Sequence, residues 1–260
     1  MARFFVDRLP EPGSLYELTG ENAAHAKVLR LEPGETVTLC DGAGTDCVCT
    51  VSQGLQLLAG EAIPSQTEPR VSVSVYLAFP KADKAEHVIQ KATELGAAEI
   101  VLFPTRFCVS RPDDKSLAKK LERWQKIARS AAEQSRRGRI PKIRALPTYA
   151  GALAEAAKAD LPILFYENER ARTLREALTE VEKPLIRPSV RTGVPSPEGE
   201  GIAPMTISLM TGAEGGFASE EIAGAETAGM KICTLGTRIL RCETAPLAAL
   251  SAVMYALGEL

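Results

Sequence analysis

The stretch TISLMTGAEGGF (206–217) reads as a buried strand that runs straight into glycines. Thr206 to Thr211 carry apolar Ile207, Leu209 and Met210, and Gly212, Gly215 and Gly216 follow at once, with Glu214 among them. Glycines just past the carboxyl end of a strand let the backbone approach a ligand, and open α/β sheets bind ligands at those ends. The spacing is G-x-x-G-G, so neither the dinucleotide pattern G-x-G-x-x-G nor a G-K-[ST] triphosphate loop is present. On this segment alone, a glycine-rich turn with no ligand stays open.

A second stretch, KICTLGTRILRCETA (231–245), repeats the layout. An apolar strand reaches Gly236, and a loop then carries Arg238 and Arg241 around apolar Ile239 and Leu240. Apolar loop residues beside glycines suit an adenine face, and two arginines near a carboxylate suit a charged substrate. Thr244 is placed to cap the last helix, 245–258, with Pro246 in its first turn. The plain alternative is that Glu243 favours the helix dipole and the arginines pair with acids.

Outward from these segments, strands alternate with helices. VSVSVYLAF (71–79), Glu99 to Phe103, Leu161 to Tyr166 and Lys231 to Leu235 read as strands. A helix after Asp83 buries Ala85, Val88, Ile89, Ala92 and Leu95, with Glu86 completing a capping box and Gly96 ending it. Leu117 to Ala131 mark a long amphipathic helix, in which Trp124 reads as core in preference to a base-stacking platform. This alternation predicts an α/β fold with a largely parallel sheet covered on both faces. Residues 182–204, rich in Pro, Gly and charge, read as a surface insertion.

The first 65 or so residues have a different grammar. Arg3–Val6, Thr36–Cys40 and Cys47–Val51 read as short strands, with turn chemistry at Asp41–Gly44 and a short helix over 21–29. They predict a small barrel, joined to the rest by a linker at 63–69. The domains expected are therefore 1–68 and 71–260.

Composition narrows the classes. The chain has 260 residues, 45% hydrophobic and 25% charged, which is ordinary for a globular protein. No apolar run approaches the ~20 residues that cross a bilayer, and no apolar segment with a cleavage site opens the chain, so a cytoplasmic protein with no membrane association is expected. Six cysteines form no C-x-x-C, and only His25 and His87 could join them, so no metal site is expected. Cys47 and Cys49 alternate onto one strand face and read as buried thiols.

The net charge of −2 hides an asymmetry. Residues 106–144 hold thirteen Lys or Arg against four acids, a local +9 that leaves −11 for the rest. Such a stretch is an electrostatic footprint for phosphates, with a solvated helix face as the alternative.

The pair GxEGGF … LGxRILRxETA resembles the C-terminal signature of the RsmE-type 16S rRNA (uracil-N3) methyltransferases, a SPOUT family. His25-Ala-Lys-Val-Leu-Arg30, Lys91-Ala-Thr-Glu-Leu-Gly96 and Ala131-Ala-Glu-Gln-Ser-Arg136 are similar to further elements of that family, in order, as is the Arg3-Phe4 start. Ala213 stands where the family usually has proline. The resemblance implies a PUA-like RNA-binding β-barrel followed by a SPOUT methyltransferase domain with a C-terminal trefoil knot. It implies a homodimer, S-adenosyl-L-methionine as cofactor, and 16S rRNA, within the small ribosomal subunit, as substrate. Carried onto this sequence, the cofactor residues are Tyr166, Glu167, Thr211, Gly212, Glu214, Gly215, Leu235, Gly236, Ile239, Leu240 and Thr244. The RNA-binding residues are Arg3, His25, Lys27, Arg30, Gln134, Arg136 and Arg137, although His25 also reads as an ordinary helix surface residue.

Arg241 and Glu243 are the catalytic candidates. Uracil N3 is a poor nucleophile until it loses its proton, so a cation for the imide anion, or a base, is required. Arg241 suits the base or its phosphate, and Glu243 an acid/base or orienting task. N3 is hidden in a duplex, so the target is expected unpaired or extruded. A 2′-O-ribose methyltransferase and a non-catalytic RNA-binding module are the alternatives.

Overall fold

A computed structural model of the chain describes residues 1–185 and 204–260. Most of the 182–204 segment, expected as a surface insertion, lies outside the described residues. Two compact units emerge. The first takes Met1–Glu68 together with Gln125–Pro141, and the second takes Pro69–Trp124 with Lys142–Leu260.

The first unit is built on β1 (Ala2–Phe5), β2 (Leu15–Glu17), α1 (Gly20–Leu29), β3 (Thr36–Cys40), β4 (Thr45–Val51) and β5 (Gln56–Pro64). The sheet order is β1-β3-β4-β5-β2, with β1 parallel to β3 and the other pairs antiparallel. Period-two burial puts Val37, Leu39, Cys47, Cys49, Val51 and Leu57 into one apolar cluster with Phe4. Cys47 and Cys49 do share a face, their sulfurs 3.6 Å apart and buried. The expected linker begins later than 63, because Ile63 and Pro64 still pair with Asp46 and Thr45. Strands β2 and β5 escape a sequence reading because most of their side chains are exposed and the apolar residues of β5, Leu57-Leu58-Ala59 and Ala62-Ile63, fall side by side and do not alternate with polar ones.

In the second unit, six parallel strands form one sheet. They are β6 (Ser72–Ala78), β7 (Glu99–Phe103), β8 (Lys142–Ala145), β9 (Leu161–Phe165), β10 (Thr206–Thr211) and β11 (Lys231–Cys233), ordered β11-β9-β10-β6-β7-β8. The helices are α2 (Lys84–Glu94), α3 (Asp114–Gln134), α4 (Tyr149–Ala156), α5 (Leu174–Leu185), α6 (Ser219–Thr227) and α7 (Ala245–Ala256). The residues of α3 from Gln125 onward group with the first unit. Buried Val75, Leu77, Ile100, Leu102, Ile163, Leu164 and Leu209 make the sheet a continuous core, as parallel strands require. Trp124 is 3% exposed and belongs to the core.

Two expected caps do not form. Asp83 makes no side-chain cap bond, because its φ/ψ of −88°/7° lies outside the extended region from which an N-cap side chain reaches back. Its partner Glu86 instead accepts from Arg123 at 2.7 Å. Thr244 is already helical at −87°/−40°, so its hydroxyl does not cap α7. Thr148, by contrast, accepts from the Gly151 amide at 3.1 Å and starts α4.

Candidate active site

Three adjacent strands, β11, β9 and β10, end side by side, and the loops that leave them wall one cavity of about 510 Å³. That volume suits a small-molecule site. The β9 loop contributes Phe165, Tyr166 and Glu167, and the β10 loop Thr211, Gly212, Ala213, Glu214 and Gly216. The β11 loop contributes Thr234 through Cys242. Lys84 and Ala245 complete the lining.

Each loop has a local reason for its shape. The Thr234 hydroxyl accepts from the Gly236 amide at 3.1 Å and fixes the turn, while Gly236 sits at φ +109°, a region that side chains avoid. A Cβ on Gly236 would meet no atom within 4 Å, so the backbone there borders open space. Gly216 has φ +66°, and a Cβ would lie 2.6 Å from the Glu167 carboxylate. Both glycines therefore keep a cradle that side chains would fill. Ile239, 80% exposed, offers an apolar face beside it.

The sequence-derived cofactor residues Tyr166, Glu167, Thr211, Gly212, Glu214, Leu235, Gly236, Ile239 and Leu240 all line the cavity. Gly215 and Thr244 do not. Gly215 is a packing glycine, since a Cβ there would lie 2.6 Å from Phe107 Cβ. Thr244 is exposed, and its amide donates to the Arg241 carbonyl at 2.9 Å.

Arg241 lines the cavity and is exposed to it. Glu243 lies beside Lys84, Nζ to Oε2 3.0 Å. Its own backbone amide above all pulls its carboxyl down to about 2, with the Lys84 ammonium and Cys242 thiol adding to the effect. At neutral pH such a group holds no proton to donate and is a weak base. Lys84 also pairs with Glu214 at 3.0 Å. Burial opposes ionisation of Glu214, but its own amide, Lys84 and the Lys81 amide outweigh it and hold it below the usual carboxylate range. The two carboxylates in turn raise the Lys84 ammonium above the ordinary lysine range. Lys84 carries no glycine or strand signal, so motif reading passes over it. Its position at the first residue of a helix, where the dipole disfavours a cation, is the clue.

The RNA-binding candidates divide. His25, Lys27, Arg30, Gln134 and Arg136 are exposed on the first unit. The His25 ring also packs edge-on against Phe4, centroids 5.6 Å apart. Arg3 and Arg137 differ from these, because both side chains are largely enclosed and paired within the first unit. Arg3 pairs with Asp46 at 2.7 Å, and Arg137 with Glu68 at 2.7 Å. Other arginines of the basic stretch are also engaged within the protein. Arg129 donates to the Phe5 carbonyl, and Arg144 sits between Glu99 and Glu155.

Comparison with known proteins follows the same division. Residues 67–254 match the RNA methyltransferase domain family, and residues 18–54 the RNA methyltransferase PUA domain. The fold and site therefore define an RNA methyltransferase of SPOUT type with a PUA unit ahead of it. The ribosomal RNA small subunit methyltransferase E of Bacillus subtilis is 32% identical over 98% of this chain and 96% of its own length. That of Mycobacterium bovis is 32% identical over 96% and 90%. The crystal structure of the Neisseria gonorrhoeae enzyme of this name, bound to S-adenosyl methionine, aligns with a TM-score of 0.74 at 28% identity over 98% of both chains. The chain belongs to the ribosomal RNA small subunit methyltransferase E family.

Proposed function

We propose that the protein methylates N3 of a uridine in 16S rRNA of the small ribosomal subunit, using S-adenosyl-L-methionine. The observation that carries this is the cavity itself. Its walls are three strand-end loops, its glycines keep an open cradle, and Arg238 and Arg241 line it beside Leu235, Ile239 and Leu240. The glycine cradle, the apolar face and the polar groups of Tyr166, Glu167 and Thr211 fit an adenosyl amino acid. When bound, the cofactor supplies a methyl group already activated by its sulfonium, and the protein is left to orient and to manage one proton.

Arg241 serves the substrate side. Its cation is exposed in the cavity and stabilises the uracil imide anion, or a neighbouring phosphate, as N3 becomes nucleophilic. Glu243 is an orienting group, since a carboxyl held near 2 is a poor match for general acid–base work at neutral pH. The exposed Lys27, Arg30, Gln134 and Arg136 contact the RNA backbone, and His25 lies among them. The active form is a homodimer in the cytoplasm, and the second unit carries the trefoil knot of its SPOUT relatives.

The test is methylation of small subunits or of protein-free 16S rRNA, followed by mass spectrometry of the nucleosides. N3-methyluridine is the expected product. A 2′-O-methylated nucleoside would overturn the target atom, and no methylation with saturating cofactor on either RNA would overturn the enzyme.

A further inference from the structure

We propose that Lys84 is a positioning residue of the methyl-transfer site, whose ammonium ties the β10 loop to the turn before α7. The inference rests on the methyltransferase reading and adds a segment that no strand-end motif includes.

The geometry is direct. Lys84 Nζ lies 3.0 Å from Glu214 Oε1 and 3.0 Å from Glu243 Oε2. The Lys81 amide also donates to Glu214 Oε1, at 3.1 Å. One short segment after β6 thus holds two carboxylates from distant parts of the chain. Between its two contributors stands Ala82 at φ +53°, a left-handed conformation that costs an L-residue energy and persists where its surroundings enforce it. A lysine at the first residue of α2 also opposes the helix dipole. Neither feature helps the helix. Both place donors against Glu214 and Glu243.

The charges show what the tie does. Two carboxylates converge on one ammonium, so without Lys84 two like charges face each other at the cavity wall. Repulsion would then spread the Glu214 loop from the Glu243 turn and loosen the wall around Gly212 and Gly216. The Cys242 thiol, 3.6 Å from Nζ, does not replace the lost charge, because burial keeps it neutral by pushing it up to about 12. Arg241, Arg238 and Glu167 line the same cavity, and the Lys81 side chain is exposed.

Calorimetric binding of S-adenosyl-L-methionine at about pH 8 and about pH 5.5 tests this on the full chain. Relative to wild type, Lys84→Met should bind about tenfold more weakly at the higher pH, the scale of one coupled charge pair. The deficit should shrink to about twofold at the lower pH, as one uncompensated carboxylate takes up a proton. Lys84→Arg should stay within about threefold of wild type, and Lys84→Met with Glu243→Gln, whose carboxylate lies outside the cavity lining, should recover most of the loss. Equal affinity of Lys84→Met and wild type at both pH values overturns the inference. So does a loss that is the same at both pH values and is not rescued by Glu243→Gln. Melting midpoints verify folding, and if Lys84→Met alone fails to fold, the Arg and double variants decide. A wild-type protein that binds no cofactor overturns the methyltransferase reading instead.

Discussion

Arg3 grips Asp46 through both carboxylate oxygens, at 2.7 and 2.9 Å, with each side chain only 9% exposed. The same guanidinium donates to the Arg137 carbonyl at 3.2 Å, so one residue near the chain start holds β4 and the distant 125–141 segment together. Removing one partner of such a pair leaves a buried charge uncompensated. Arg3→Met should therefore destabilise the first unit by about 3–5 kcal/mol, read as a lower urea midpoint. Arg8→Ala, at a fully exposed pair, should change it by less than about 0.5 kcal/mol. A stable Arg3→Met protein with weakened RNA binding would return Arg3 to the RNA surface.

Gly215 tests the packing of the β10 loop. A methyl group there needs the Phe107 backbone to move, because that segment passes within van der Waals contact. Gly215→Ala should cost about 1–3 kcal/mol in stability by overpacking. Cofactor affinity should fall with it, although Gly215 does not itself face the cavity. Unchanged melting and unchanged affinity would show that the loop yields freely.

Arg241→Ala separates substrate from cofactor. The expected result is a fall in kcat of about 10²-fold or more, as for loss of one transition-state donor, with S-adenosyl-L-methionine affinity within about twofold of wild type. Full methylation by this variant would remove Arg241 from the chemistry. A parallel loss of cofactor affinity would move it to the other side of the pocket.

Glu243 gives a signed pH prediction. Its folded pKa, about 2, lies below the ordinary carboxylate value of 4.5, so folding favours the ionised form. The stabilisation is complete above about pH 4.5 and is lost as pH falls towards about 2. Glu243→Gln lacks this contribution. The stability difference between wild type and variant should be constant from about pH 5 to 8 and should shrink below about pH 4.5. A difference that instead changes near neutral pH would show a carboxyl titrating there and would revive Glu243 as an acid/base.

Much of the second unit was legible in the sequence because most of its strands carry several buried apolar residues. Glu99–Phe103 and Thr206–Thr211 match the expected limits, since their buried runs stop against Pro104 and Gly212. Strand β8 was not legible, because Lys142 and Arg144 interrupt it and its exposure alternates weakly. Of the site, the glycine loops announced themselves through spacing. Lys84 did not, as its role depends on two carboxylates more than a hundred residues away. The pairing of Arg3 and Arg137 was not legible for a related reason. Sequence shows a cluster of positive charge, but only three-dimensional pairing shows which cations are already neutralised.

The first unit is not a contiguous piece of chain. Gln125–Pro141 belongs to it, and Ala132 and Ile140 share a small core with Phe5 and Cys40. A fragment ending at Glu68 would leave Phe5 and Cys40 without those apolar neighbours and Glu68 without Arg137. A single recombination point therefore cannot exchange this unit between proteins, because it leaves one strip of the fold behind on the other parent. Any engineered transplant of the first unit must therefore carry both Met1–Glu68 and Gln125–Pro141.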